Sequence, residues 1–160
     1  MASDCFQFPP VVEDYLSEHN VLNLSTCGED GPWAAAVFYA HSGLRFYFLS
    51  NPDTRHGRHI MATGRMAAAV HEDYSSWREI KGVQMIGSVR VVDDPAGKKD
   101  GLKAFFRKFC FAEAFLRGDV PEALRERMRN IHLFCFEPDL VLWLDNSTGF
   151  GNRIQVYPEP

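Results

Sequence analysis

The sequence predicts a mainly β fold in which short strands close into an antiparallel barrel flanked by a few α-helices. Three observations predict it. Six or more short segments alternate or run apolar between clusters of turn-forming Gly, Pro, Asn and Asp. Helical periodicity is confined to a short N-terminal piece, a piece after Asn51 and a longer stretch after Pro95. The 160 residues, 46% hydrophobic and 24% charged, suit one globular domain over 1–160, with no repeat, low-complexity tract or linker. Closing the sheet would also remove exposed strand edges.

Pro9-Pro10 opens an amphipathic helix with Val12, Tyr15, Leu16 and His19 at helical spacing, and Asn20 suits its end in a left-handed conformation. Val21 to Cys27 alternates, with Leu22, Leu24 and Thr26 on one side. Gly28-Glu29-Asp30-Gly31-Pro32 is turn chemistry, and Trp33 to Ala40 is a second strand ending at the turn His41-Ser42-Gly43. Leu44, Phe46 and Phe48 face one way in the third strand, with Arg45, Tyr47 and Leu49 opposite. Asp53 or Thr54 can cap a helix from about Arg55 to Ala62, and Gly64 can end it. Met66 to His71 has no polar side over Ala67-Ala68-Ala69-Val70 and reads as a strand buried on both faces. Val83 to Val92 alternates cleanly, with Val83, Met85, Val89 and Val91 on one face. A helical insertion spans about 95–130, in two pieces divided around Gly118-Asp119-Val120-Pro121. The last strand region is Ile131 to Asp145, bent at Glu137-Pro138-Asp139, and residues 146–152 are loop-like.

Charge and composition exclude several classes. The net charge is −4, the first 44 residues hold no Lys or Arg, and acids interleave the basic cluster between Lys98 and Arg129. That is a solvated helical surface rather than a nucleic-acid footprint. The longest apolar run, Trp33 to Ala40, falls far short of the roughly 20 residues that span a membrane. No basic N-terminus precedes an apolar stretch, and Cys5, Cys27, Cys110 and Cys135 form no CxxC pair. A cytoplasmic protein with reduced thiols is expected, the cysteines in strands or in a Phe-rich helix being buried and inert.

The stretch Ser50-Asn51-Pro52-Asp53-Thr54-Arg55-His56-Gly57-Arg58-His59 carries the most chemistry. A strand delivers the chain to a capped helix start, where unpaired N–H groups and the helix dipole favour an anion. Arg55 adds a guanidinium able to grip a phosphate with two parallel donors, and His56 adds a pH-dependent one. An exposed, merely solvated basic helix is the alternative. His56 and His59 stand at i,i+3, but no third ligand matches them, so no metal is expected. No Gly-x-Ser-x-Gly elbow, Walker A loop or GxGxxG fingerprint is present, and no catalytic residue is assigned. Phe105, Phe106, Phe109, Phe111 and Phe115 read as an apolar helix face packed on the barrel or on a partner.

The run Leu44 to His56, a short helix, an Ala/Val strand and Ile80-Lys81-Gly82-Val83-Gln84-Met85-Ile86-Gly87 together resemble the pyridoxamine 5′-phosphate oxidase-like family. With the terminal Asp145-Asn146-Ser147-Thr148-Gly149-Phe150-Gly151, the chain looks most similar to a small uncharacterised bacterial branch of it. The resemblance covers about Val11 to Val156 and implies a six-stranded antiparallel split β-barrel. It further implies a homodimer with FMN in clefts at the interface. The family's phosphate-holding element falls on Ser50, Arg55 and His56, and its flavin strand on Ala34 through Tyr39. Gln84 lies two residues beyond the family's flavin-contacting glutamine position, which is Gly82 here, and Arg153 corresponds loosely to a basic residue for substrate phosphate. Ala34 and Tyr39 replace the family's Arg and Lys on that strand, and His56 replaces its Lys, which removes positive charge from the site.

These readings combine into an expectation. The chain is an FMN-binding flavoprotein passing a hydride or electrons to a small-molecule substrate. Arg55 is the main phosphate anchor, Ser50, His56 and Gln84 assist it, and Val37, Phe38 and Leu49 are ring-wall candidates. Two alternatives stand beside it: a non-enzymatic split barrel binding another planar ligand such as haem, and a cofactor-free interaction protein docking through the helices at 95–130.

Overall fold

Antiparallel pairing runs unbroken around a ring of six strands in the computed structural model, which describes residues 6–110 and 121–159. The elements are α1 (Pro10–Glu18), β1 (Val21–Gly28), β2 (Gly31–Ser42), β3 (Arg45–Ser50), α2 (Arg55–Thr63), β4 (Arg65–His71), β5 (Lys81–Val91), α3 (Pro95–Lys108), α4 (Glu122–Met128), β6 (His132–Asp145) and β7 (Arg153–Tyr157). The strand order is β3-β2-β1-β4-β5-β6-β7, and a further β3–β6 pairing closes the barrel. The expected six-stranded antiparallel barrel is what forms. It carries one strand that local patterning did not reveal: β7, which pairs along the outside of β6.

Alternation decides which side chains fill the barrel. Leu22 and Leu24 of β1, Phe46 and Phe48 of β3, Val83 and Met85 of β5 and Phe134 and Phe136 of β6 point inward and are buried. Phe48 and Phe134 stack with ring centres 5.1 Å apart. A second apolar cluster forms outside the ring, where Ala104, Phe105 and Phe109 at the end of α3 cover Ala40, Tyr47, Leu133 and Cys135. The expected Phe face is thus a packing face as far as it is described, with Phe106 half-buried beside it, while Phe111 and Phe115 lie outside the described residues.

Three local expectations change and a fourth, the bend in β6, takes a definite form. On β4 only Met66, Ala68 and Val70 are buried, while Ala67 and Ala69 are half-buried on the outward side, so small size rather than two-sided burial explains the alanines. Helix α1 ends without a left-handed residue, His19 being extended at φ −95°. Its last carbonyls are taken instead by side chains: Lys108 Nζ donates to Leu16 and His19 carbonyls at 2.9 and 2.6 Å, and Tyr39 Oη donates to Leu16 at 2.7 Å. The bend at Glu137-Pro138-Asp139 is a register shift within β6 opposite Ile86 and Gly87, a bulge that accommodates the missing N–H of Pro138. Of the cysteines, Cys135 is buried, and burial pushes its thiol up to about 12, but Cys27 and Cys110 are exposed.

Candidate functional site

Helix α2 crosses one end of the barrel, and its start is built as the sequence predicts. Thr54 is extended and its Oγ1 accepts the Gly57 N–H at 3.1 Å, while Gly64 ends the helix in the left-handed region at φ 63°. With Gly57 satisfied, the backbone N–H groups of Arg55 and His56 are the helix donors left without an acceptor among the described residues. Two histidines on the buried side then fasten the helix to the barrel. His56 Nε2 lies 2.6 Å from Ser50 Oγ and 3.1 Å from Thr54 Oγ1, and burial, aided by nearby His59, holds its pKa below the ordinary histidine value. His59 reaches Thr26 Oγ1 at 3.0 Å through Nδ1 and Asp30 Oδ1 at 2.5 Å through Nε2. Its ring passes so close to Gly28 that a Cβ there would collide with His59 Cδ2.

Arg55 stands at the rim of this end. Its guanidinium lies over the Trp33 ring at 4.7 Å, and its Nε is 2.8 Å from Asp30 Oδ2. That contact is an ion pair off the direction of the Nε–H, so the buried Nε makes no hydrogen bond among the described residues. Nη2 donates to the Asp30 backbone carbonyl. The His59 hydrogen bond, and then the Arg55 charge, hold the Asp30 carboxyl below its ordinary range.

The structure therefore brings Ser50 and His56 into contact and sets Arg55 beside them on α2, but it joins Arg55 to Asp30 and Trp33. Gln84 is elsewhere: it faces outward from β5, and its Oε1 accepts from Arg153 Nε at 3.1 Å. No described contact links Gln84 to Ser50, Arg55 or His56. Phe38 and Leu49 both face outward and are exposed, but Val37 is turned inward against the barrel core, so Val37 and Phe38 cannot line one wall. Asp30, Trp33 and Thr26 are site residues that sequence reasoning passed over, and His59 was weighed there only as a metal ligand beside His56. Asp30 read only as turn chemistry, because its partners lie 25 and 29 positions away.

Outward residues of the neighbouring strands make a smooth face of mostly small, uncharged side chains, apolar and polar. Ala34 and Ala36 of β2 pair with Ser25 and Asn23 of β1, which pair with Ala67 and Ala69 of β4, which pair with Ile86 and Gln84 of β5. Ile86 is 46% exposed and Phe38 52%, unusual for the solvent side of an antiparallel sheet. A shallow groove of about 420 Å³ on this face, lined by Thr26, Cys27, Pro32, Arg65, Ala67 and Ile86, shares the β1–β2 hairpin with the Arg55 corner. A larger cleft of about 960 Å³ lies among the N-terminal segment, the β2–β3 turn and α3, away from α2. Its lining mixes acids and bases without a dominant sign, with His41 Nε2 3.2 Å from Glu13 Oε1. Among the described residues no group of three His, Cys, Asp or Glu side chains is placed to hold a metal ion. No described helix is long and apolar enough to cross a membrane.

A six-stranded antiparallel barrel with an arginine-bearing helix start at the end of its third strand defines a class of small split-barrel proteins. A family model described as pyridoxamine 5′-phosphate oxidase matches residues 8–142, and the chain belongs to that family. A UPF0306 protein of Photorhabdus laumondii is 27% identical over 155 residues, covering 96% of each chain. Among solved structures, a heme binding protein from Mycobacterium smegmatis superposes with a TM-score of 0.67 at 18% identity, over 92% of this chain and 57% of that one. A Clostridium acetobutylicum protein related to general stress protein 26, of the pyridoxinephosphate oxidase family, superposes with a TM-score of 0.63 at 16% identity, over 91% and 90%. These two likenesses show the fold.

Proposed function

We propose that the chain is an FMN-binding split barrel acting as an oxidoreductase on a small molecule, with the flavin phosphate seated where β3 hands over to α2. The observation that carries this reading is the Arg55 corner: a guanidinium with a buried Nε, beside two backbone N–H groups of a capped helix, all without a hydrogen bond among the described residues. That donor set fits an anionic headgroup. Bound flavin would supply hydride or electron transfer. Arg55 would grip the phosphate and Trp33 would hold the guanidinium flat. Ser50 and His56, hydrogen-bonded to each other, would keep the helix start in register rather than contribute a charge, because His56 is neutral near pH 7. The smooth face carrying the exposed Phe38 and Ile86 supports a homodimer, with the ring in the cleft between the two copies. The chemistry of this reading suits a cytoplasmic protein.

Freshly purified protein should show flavin absorption bands, or acquire them when FMN is added and the excess removed, and it should sediment as a dimer. Arg55→Ala should lose the bands and keep its melting temperature within a few degrees. A colourless protein without heat stabilisation by FMN sinks the reading. The same spectrum decides a second one. His71 faces outward on β4, and its Nε2, which accepts from Asn23 Nδ2 at 2.7 Å, would be open to an iron porphyrin once Asn23 turns away. The likeness to the heme binding protein from Mycobacterium smegmatis supports that alternative, and a Soret band in place of flavin bands would decide for it.

A further inference from the structure

The Asp30 carboxylate divides itself between two cations or donors of α2. Oδ1 takes His59 Nε2 at 2.5 Å, and Oδ2 sits 2.8 Å from Arg55 Nε. With His59 donating from Nε2, its Nδ1 is left to accept the Thr26 hydroxyl, so the chain Thr26–His59–Asp30–Arg55 is satisfied at every link except the misaligned Arg55 Nε. Asp30 is half-exposed, on the turn between β1 and β2, and its carboxyl is held below its ordinary range, so it is charged through neutral pH. A negative charge therefore already occupies the edge of Arg55 that an incoming phosphate would use.

We propose that Asp30 sets the anion selectivity of the Arg55 corner: it is a resident carboxylate that a phosphate must displace or sit beside, and it weakens dianionic ligands most. This rests on the flavin reading above and deepens it. The physical reason is pairwise repulsion. A phosphate gripping Arg55 lies within a few ångströms of Asp30, and like charges at that separation in a partly solvated corner disfavour binding by about tenfold or more. A ligand without the phosphate escapes the effect. The ion pair's poor alignment limits what Arg55 loses on release, so the seat stays exchangeable rather than permanently closed. Asp30→Asn removes the charge and leaves an amide oxygen able to accept the His59 hydrogen bond, so the fastening of α2 persists.

The test is equilibrium titration of the full-length chain and its Asp30→Asn variant with FMN and with riboflavin, followed by flavin fluorescence. The expected result is at least about tenfold tighter FMN binding by the variant, with riboflavin unchanged between the two. Equal FMN affinities, or weaker binding by the variant, overturn the proposal and show Asp30 to be an orienting partner of Arg55; the flavin reading survives either outcome. If neither protein binds FMN, the flavin reading falls. Calorimetric titration with inorganic phosphate then decides the Asp30 role, tighter phosphate binding by the variant upholding it and equal or absent binding overturning it. Asp30→Ser, which also removes the charge, replaces the Asn variant if that one melts more than a few degrees below wild type.

Discussion

Helices α2 and α3 both flank the barrel, both start at an oxygen-bearing cap, and they are held by different forces. Thr54 Oγ1 caps α2 through Gly57, and Asp94 Oδ1 caps α3 through Gly97 at 2.7 Å. Beneath α2 the buried side chains are His56, His59 and Ile60, and the histidines meet Ser50, Thr26 and Asp30 through hydrogen bonds of 2.5–3.0 Å. Beneath α3 they are Ala104 and Phe105, with Phe109 just beyond, packed on Tyr47, Leu133 and Cys135. Area holds α3, and area tolerates small shifts. Direction holds α2, because a hydrogen bond weakens steeply off its axis. The helix carrying the candidate site is the one whose position is fixed atom by atom.

Three measurements test that contrast. The largest effect is expected from Phe105→Ala, which empties a buried aromatic site and should cost about 3–5 kcal/mol by chemical denaturation. A cost below about 1 kcal/mol would mean that α3 is not held by its apolar face. Lys108, at the end of α3, gives a smaller, pH-dependent effect. Its ammonium lies 4.0 Å from the Tyr39 ring centre and caps α1, and burial lowers its pKa from the ordinary lysine value to about 8. Below pH 8 it is charged in both folded and unfolded chains. Between about 8 and 10.5 the unfolded chain binds more protons, so its contribution to stability rises with pH across that window. The rise should amount to on the order of 1–2 kcal/mol after allowance for solvent screening, and Lys108→Met should abolish it. A fall in stability over the same window, lost in the variant, would contradict the burial account. The smallest effect belongs to α2: Thr54→Ala should cost about 1 kcal/mol, or about 3 °C in melting temperature. It should also loosen His56, which shares the Thr54 hydroxyl. An unchanged melting temperature would show that Ser50 and the other histidine suffice to seat the helix.

Much of this architecture was legible one residue at a time. The alternation of Val83, Met85 and Val89, the Thr54 cap and the Gly64 stop are local consequences of side-chain geometry, and the structure keeps each of them. Strand β7 was not legible, since Arg153–Tyr157 has no strong period of its own and becomes a strand by pairing with β6. The alanines of β4 misled because a small side chain leaves the same mark whether buried or merely set in a smooth outward face. Cys27 misled too: alternation along β1 sets it on the outward side, opposite Leu22, Leu24 and Thr26.

The candidate site divides similarly. Arg55 at a capped helix start could be read from ten consecutive residues, because capping and the helix dipole act within a turn. Its resident partner could not. Asp30 meets Arg55 and His59 only because barrel closure sets the β1–β2 turn against the first turns of α2. What the chain's order of residues determined by itself was the set of strands, caps and donors, all governed by interactions spanning a few positions. What tertiary structure alone decided was which charge those donors already hold, because Coulombic and hydrogen-bond partners are chosen by distance in space and leave no period along the chain.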